Sequence, residues 1–253
     1  MKLPAALLPV ALLCALGLSS AGAAEPDECA LPDSLSYSDG RLKHAAHTVA
    51  TEKRLNIVVL GSGSSSLGGA EGQRTAYPAR LETVLRQRLP DVAVSVRADV
   101  KTRRTAEEME KALDRLLLEA KPDVVIWQTG TVDAIRGVDP DSFRATLEEG
   151  VQALQTAGVD VVLMNMQYSP RTELMISAGA YVDNMRWIAQ QYDLPLLDRL
   201  AIMRHWSETG VFDLTGDGTK RVAERVHDCL GKLLADMIFN TGNIHVTEAR
   251  ENR

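Results

Sequence analysis

The sequence has 253 residues, of which 45% are hydrophobic and 25% are charged, so the chain can bury a sizeable apolar core. Its formal net charge of −6 argues against nucleic acid or an anionic membrane surface as the main partner. The length fits one α/β domain, and no segment after the first 24 residues is apolar enough to predict a membrane span.

The first 24 residues are typical of a cleavable signal peptide. Lys2 supplies a positive charge, Leu3–Leu18 forms an apolar core, and the small residues Ala21–Ala24 offer a cleavage site. The apolar stretch is too short for a stable membrane helix, and a leucine rather than a small residue precedes Cys14, which argues against a lipoprotein. We therefore predict a signal peptide over residues 1–24 and a periplasmic or secreted location. A buried helix at the start of the fold is the alternative.

The elements that follow alternate between strand and helix patterns. Residues 25–54 have no clean hydrophobic period and are predicted to form an N-terminal arm with one short helix. The predicted strands are Leu55–Leu60, Val92–Val96, Val124–Trp127, Val159–Met164 and Leu194–Leu197. The predicted helices are Tyr77–Arg88, Thr105–Ala120 with Thr105 as N-cap, Asp141–Ala157, Ser177–Tyr192 and Gly218–Phe239. Residues 240–253 are predicted to form a polar, frayed tail.

Apolar strands that alternate with helices indicate a parallel sheet covered on both faces, so residues 55–239 are predicted to form a three-layer α/β/α domain. Crossovers of this kind are right-handed, which gives a doubly wound sheet. Ligand sites in such sheets lie at the carboxyl ends of the strands. The segments after Leu60, Val96, Trp127 and Met164 are therefore expected on one rim.

After the predicted leader the chain keeps two cysteines, Cys29 and Cys229, almost at its two ends. In an oxidising compartment the simplest account is one disulfide that ties the N-terminal arm to the last helix. Two buried free thiols are the alternative.

The segment after the first predicted strand, Gly61–Gly69, is rich in glycine and serine. Ser66 occupies the third glycine position of a dinucleotide loop, and the segment lacks both the P-loop lysine and the G-x-S-x-G spacing of α/β-hydrolases. A hydroxyl-rich turn between a strand and a helix suits a serine nucleophile, because neighbouring N–H groups can stabilise an oxyanion. The residues alone leave both a nucleophile turn and a flexible loop open.

Three segments together resemble the SGNH or GDSL-like esterases and lipases; they read IVVLGSGSS, PDVVIWQTGTVDA and FDLTGDGTK. The chain is most similar to an exported subgroup whose first block reads Gly-Ser-Ser-Ser-Thr, and the likeness extends over Cys29–Ile238. The resemblance implies a flavodoxin-like, five-stranded parallel sheet of order 2-1-3-4-5. It also implies hydrolysis of acyl or acetyl esters of glycans or lipids, with no metal or cofactor.

The family uses a serine nucleophile, an oxyanion hole formed by a glycine N–H and an asparagine, and a histidine base oriented by an aspartate. Carried over without a gap, the nucleophile position falls on Gly63. A one-residue slip would place it on Ser64, which is the tentative nucleophile. Arg103 stands at the oxyanion glycine, where its side chain is predicted to crowd the site.

The last two family blocks depart from the pattern as well. Val132, which has no side-chain donor, stands at the oxyanion asparagine, and Lys220 stands at the histidine base. Asp217 keeps the position of the orienting aspartate and is the second tentative catalytic residue. The residues expected to line the cleft beside these positions are Ser62, Gly130, Thr131 and Asp133.

These substitutions predict a catalytically impaired hydrolase that retains the fold and a binding cleft. The alternative is an altered esterase in which Ser64 works with Lys220, provided that burial makes the lysine a base, or with another base. A purely structural partner with an acidic surface is a third hypothesis. Among the histidines, His205 is interpreted as structural and His227 as a helix-surface residue.

Overall fold

The computed structural model describes residues 27–36, 38–215 and 220–244. The predicted signal peptide and most of the predicted polar tail lie outside these ranges. The strands are β1 (Arg54–Gly61), β2 (Ala93–Val100), β3 (Val124–Gln128), β4 (Asp160–Met164) and β5 (Leu196–Leu197). A short 3₁₀ turn over Gly63–Ser65 follows β1.

Helices fill the connections between the strands. Those in the first half of the chain are α1 (Asp33–Ser36), α2 (Lys43–Glu52), α3 (Gly72–Thr75), α4 (Tyr77–Arg88), α5 (Ala106–Glu110) and α6 (Leu113–Ala120). Those in the second half are α7 (Thr131–Arg136), α8 (Pro140–Thr156), α9 (Pro170–Met175), α10 (Gly179–Gln191), α11 (Arg199–Glu208) and α12 (Lys220–Gly242).

The strands form one five-stranded, wholly parallel sheet of order β2-β1-β3-β4-β5, which confirms the predicted architecture and strand order. Leu60 of β1 lies opposite Asp99 of β2 and Trp127 of β3, so the carboxyl ends of these strands share one edge. The loops that follow the strands are brought together at that edge, as the sequence predicted for a ligand site.

Two apolar layers enclose the sheet. On one face, α2, α4, α11 and α12 pack against strand residues that include Ile57, Val59 and Ile126. On the other face, α5, α6, α8 and α10 pack against residues that include Val58 and Trp127. Successive side chains of β1 thus enter opposite layers, as the pleat of a doubly covered strand requires.

Close contact between α8 and β3 depends on a glycine. A Cβ atom on Gly150 would lie 2.4 Å from the indole of Trp127, a separation that side chains cannot adopt. Trp127 is fully buried, so the helix can approach the sheet only because Gly150 has no side chain.

The N-terminal segment is more ordered than the sequence predicted. Residues 43–52 form a ten-residue helix, α2, whose Ala45 and Val49 lie in the core together with Leu42. The spacing of these three residues, i, i+3 and i+7, gives α2 an apolar face that intervening polar residues obscure in the sequence. The predicted arm is therefore part of the layer that covers the sheet.

Two predicted helices differ from those observed. Thr105 caps α5 as predicted. Its hydroxyl accepts a hydrogen bond from Glu108 N, and the Glu108 carboxylate accepts one from Thr105 N. The helix ends at Glu110, however, and α6 begins at Leu113. At the other end of the chain, α12 continues to Gly242, and Ile244 is buried beyond it.

A disulfide joins Cys29 to Cys229 with the two Cα atoms 5.1 Å apart, which confirms the predicted pairing. Both cysteines are buried, and Arg225 Nε of α12 donates to the Glu28 carboxylate beside them at 2.9 Å. The N-terminal segment is thus fixed to the last helix by a covalent bond and an adjacent ion pair. Within the described ranges, no helix has the length and apolar character needed to cross a membrane.

Candidate functional site

The carboxyl ends of β1 and β3 are tied together by Gln128. Its Oε1 accepts hydrogen bonds from Ser62 N at 3.1 Å, from Ser62 Oγ at 3.2 Å and from Ser65 Oγ at 2.8 Å. Ser65 Oγ also lies 2.8 Å from the hydroxyl of Tyr77. Ser62 and Ser65 are buried, so their hydroxyls fix the turn after β1. Ser62, predicted to line the cleft, does not do so in the described structure.

Gly63 and Ser64 instead border a cleft of about 440 Å³. Its polar lining includes the turn after β1, Arg199, which is the first residue of α11, and His227. Its apolar side is formed by residues of α11, α12 and the segment between them, among them Met203, Leu214, Val222 and Val226. The volume and the mixed lining are typical of a small-molecule site.

Arg199 meets Ser64 inside this cleft. Its Nη1 donates to the Ser64 carbonyl oxygen at 3.2 Å and to Ser64 Oγ at 3.3 Å. Arg199 is only 1% exposed, and its buried Nε has no hydrogen-bond partner among the residues that the structure describes. Burial without a carboxylate lowers the pKa of Arg199 to about 10, so the guanidinium still carries its charge at neutral pH.

His227 of α12 lines the same cleft and is 5% exposed, so its interpretation as a helix-surface residue is wrong. Its Nδ1 accepts a hydrogen bond from Tyr77 N at 3.0 Å. Burial, reinforced by the nearby charge of Arg199, lowers the pKa of His227 to about 3. The imidazole is therefore neutral at physiological pH, and its acceptor Nδ1 places the ring proton on Nε2.

The segment expected to supply the oxyanion donor is directed into the fold. The buried carboxylate of Asp133 accepts three hydrogen bonds: from Ala106 N at 2.9 Å, from Gly130 N at 3.3 Å and from Thr129 Oγ1 at 3.3 Å. Burial raises the pKa of Asp133, while these donors oppose that effect. Asp133 therefore joins the start of α5 to the start of α7.

Its neighbours in this segment are also packed away from the cleft. Gly130 has a φ of +100°, and a Cβ there would lie 3.1 Å from the Met166 side chain. Thr131 is buried with its hydroxyl unpartnered, and Val132 is half-buried. The predicted cleft residues Gly130, Thr131 and Asp133 do not border the cleft beside Ser64 in the described structure.

Arg103 has a φ of +63°, the left-handed conformation that favours glycine, and it occupies the position where the family pattern has a glycine. Its carbonyl oxygen accepts from Arg136 Nη2 at 2.8 Å. Its side chain is exposed and does not border the cleft beside Ser64 in the described structure.

Lys220 is the first residue of α12, and its side chain is 64% exposed. Its Nζ lies 3.7 Å from the Glu224 carboxylate. Among the described hydrogen bonds, Ser64 Oγ is paired with Arg199 and not with Lys220 or His227. Asp217, the second tentative catalytic residue, lies outside the described residues.

The sequence pattern does not identify Arg199 as a site residue, and it does not show that His227 borders the cleft. The only signal for His227 is its spacing from Leu230 and Leu234, i, i+3 and i+7, which places it on the buried stripe of α12. No sequence signal links Arg199 to Ser64, because they are 135 residues apart and the contact depends on how the two loops meet.

Solved structures with the same fold are esterases and lipases by name. The lipase/acylhydrolase from Enterococcus faecalis is 21% identical, with a TM-score of 0.61, covering 77% of this chain and 100% of that one. A catalytic mutant of Axe2, an acetylxylan esterase from Geobacillus stearothermophilus, is 16% identical, with a TM-score of 0.58, covering 77% of this chain and 97% of that one. A two-domain esterase active on acetylated mannans is 16% identical, with a TM-score of 0.64, covering 84% of this chain and 57% of that one.

At these identities the likenesses establish a shared fold, and they confirm the SGNH-type architecture inferred from the sequence. No curated protein matches the sequence. The model of the non-GDSL lipase-like family matches residues 28–243, which is most of the chain. The protein therefore belongs to the non-GDSL lipase-like family.

Proposed function

We propose that this protein is an exported member of its family that binds an acyl-bearing glycan or lipid in the cleft beside Ser64 and has lost ordinary ester hydrolysis. One observation carries the proposal. The hydroxyl of Ser64, the tentative nucleophile, is hydrogen-bonded to Arg199. A guanidinium cannot accept the proton that a serine must release on attack, so this contact does not activate Ser64.

The two other candidate bases support the same conclusion. His227 has a pKa of about 3, so it is a poor proton acceptor for a serine hydroxyl at neutral pH. A lysine acts as a base where burial favours its neutral form, whereas the Lys220 side chain is 64% exposed and lies beside Glu224.

The oxyanion positions add to this argument. Val132 has no side-chain donor where the family has asparagine, and the loss of one oxyanion donor costs about 10²–10³ in rate. Gly63 has no hydroxyl at the ungapped nucleophile position, and removal of a triad member eliminates most of the remaining catalysis. Changes at several positions of the family's catalytic pattern are what relaxed selection for hydrolysis would produce.

The class of ligand and the location rest on separate observations. Structures of the same fold include esterases for acetylxylan and acetylated mannans, which supports an acyl-bearing ligand. The Cys29–Cys229 disulfide supports an oxidising compartment, in agreement with the predicted signal peptide. Periplasmic or secreted placement is part of the proposal.

An altered esterase is the second candidate, and the presence of Ser64 and His227 in one cleft is the observation that favours it. Both candidates are tested with p-nitrophenyl acetate and a fluorophosphonate probe on the mature protein. Ser66, whose hydroxyl contacts Gly63 O at 3.0 Å and which borders the same cleft, offers a matched control. We expect wild type, Ser64→Ala and Ser66→Ala to hydrolyse the ester at the buffer rate and to remain unlabelled. Labelling that disappears in Ser64→Ala but persists in Ser66→Ala would establish an active hydrolase.

A further inference from the structure

The lining of the cleft beside Ser64 has a polar part and an aliphatic part. The polar part includes Ser64 and Arg199, which are hydrogen-bonded to each other. The aliphatic part, called the aliphatic side below, consists of Leu67, Met203, Leu214, Val222 and Val226. A cleft of about 440 Å³ with this division suits a small amphiphile whose polar head is at Arg199 and whose tail lies along the aliphatic side.

The charge of Arg199 is buried without a counter-charge among the described residues. Arg199 is 1% exposed, and within the described part of the chain its Nε has no partner and its Nη1 meets only the neutral oxygens of Ser64. A buried charge without an ionised partner is costly, so its presence calls for a compensating group. An anion bound in the cleft would supply that compensation.

Among the described residues, the acidic groups near Arg199 do not fill this role. Asp198, next to Arg199 in the chain, caps α11 and is paired through its two oxygens with Asn165 and Arg186. Asp213 borders the cleft but is exposed, and its carboxylate accepts from Thr215 N. The phenol of Tyr77, which is close to Arg199, is neutral because burial raises its pKa to about 12.

The shape of the donors favours a planar anion. A guanidinium presents parallel N–H groups that match the two oxygens of a carboxylate. His227 borders the cleft with its proton on Nε2, since Nδ1 accepts from Tyr77 N, and it therefore offers a neutral donor.

We propose that the cleft binds an aliphatic carboxylate, with its head on Arg199 and its chain on the aliphatic side. This inference rests on the proposed binding function and names the chemical group that is recognised: the free acid of an acyl chain, in preference to its neutral derivatives. The structural basis is a buried arginine, without an ionised partner among the described residues, in a cleft that also has a substantial aliphatic lining.

Calorimetric titration tests the proposal with octanoate, its neutral isostere octanamide, and inorganic phosphate. We expect octanoate to bind about 10–100-fold more tightly than octanamide, the range of a hydrogen bond to a charged group. Arg199→Met should remove that preference, whereas Arg115→Met, at an exposed position on α6, should retain it.

Equal binding of octanoate and octanamide to the wild type would overturn the proposal without any variant, so the test does not depend on the folding of Arg199→Met. Absence of octanoate binding, or binding of phosphate alone, would also overturn it. These outcomes are independent of the hydrolysis assay, because octanoate has no ester bond. Labelling by the fluorophosphonate probe that depends on Ser64 would overturn the proposed loss of hydrolysis. It would not decide carboxylate binding, which the titration with octanoate tests separately.

Discussion

The guanidinium of Arg199 donates to both the carbonyl oxygen and the hydroxyl of Ser64, at 3.2 and 3.3 Å, although 135 residues separate them in the chain. The hydroxyl of Ser64 thus faces a buried cation. In an active serine esterase the hydroxyl of the nucleophile faces a base.

Replacement of Arg199 by methionine should leave the protein as stable as the wild type or more stable. The substitution keeps a long side chain while removing a buried charge, and replacing buried charges with apolar groups is often neutral or stabilising by about 1–4 kcal/mol. Urea denaturation of the unliganded protein measures the effect, and Arg115→Met should change the free energy of unfolding by less than about 0.5 kcal/mol. A loss of more than about 2 kcal/mol in Arg199→Met would mean that the arginine mainly holds the Ser64 turn in place.

The buried His227 should make the protein less stable as the pH falls. In the unfolded chain a histidine takes up a proton below about pH 6.5, whereas in the folded protein His227 stays neutral down to about pH 3. The unfolded state therefore binds more protons between these values, and stability should decrease on acidification by up to about 1.4 kcal/mol per pH unit.

Denaturation curves between pH 7 and 4 measure this slope. His227→Gln should have a shallower slope than the wild type, because the variant has no imidazole at this position, and the glutamine oxygen can still accept from Tyr77 N. His47→Gln, at an exposed position, is the control for removing an imidazole elsewhere. Equal slopes for wild type and His227→Gln would contradict the prediction.

Loss of the disulfide should destabilise the protein substantially. The bond closes a loop with a sequence separation of 200 residues, and removal of a native disulfide costs about 2–5 kcal/mol. The double variant Cys29→Ser/Cys229→Ser should therefore unfold at a lower urea concentration than the oxidised wild type. Wild type held in a reducing agent should unfold at the same urea concentration as the double variant. A midpoint unchanged by either treatment would show that the ion pair between Arg225 and Glu28 holds the segment without the bond.

The contact between α8 and β3 should not tolerate a methyl group at Gly150. A Cβ there would lie 2.4 Å from Trp127, so Gly150→Ala should lower the free energy of unfolding by about 1–3 kcal/mol. Gly179→Ala adds the same methyl group at a helix position with no atom within 4 Å, and it should not destabilise the protein. Thermal denaturation of the two variants compares them directly, and a stable Gly150→Ala would show that the helix can move away from the sheet.

Much of the fold follows from local patterns in the sequence. Tyr77–Arg88 is helical over its predicted span because its apolar residues recur at helical spacing, and Thr105 caps α5 because its hydroxyl and the Glu108 carboxylate satisfy exposed N–H groups. The strand order also agrees with the resemblance to SGNH enzymes. Sequence spacing does not reveal the break between Glu110 and Leu113, where the chain turns within a continuous periodic segment.

The site was less predictable than the fold, for a physical reason. Sequence blocks identify Gly63, Val132 and Lys220 as unusual, but they do not tell which side chains enter the cleft. Which side chains enter the cleft depends on contacts between distant loops. Ser62 is hydrogen-bonded to Gln128, whereas Arg199, at the start of α11, donates a hydrogen bond to Ser64. The sequence pattern does not predict the helix α11, although it lies within the span of the resemblance, Cys29–Ile238.

The bond between Cys29 and Cys229 also turns the peptide between them into a covalent ring that contains all five strands. A protease that cuts one exposed loop within the ring, such as 68–71, opens the ring without releasing a fragment. Both pieces stay attached through the sulfur bridge, and the sheet can remain assembled around the nick. This resistance to a first proteolytic cut is a property separate from equilibrium stability.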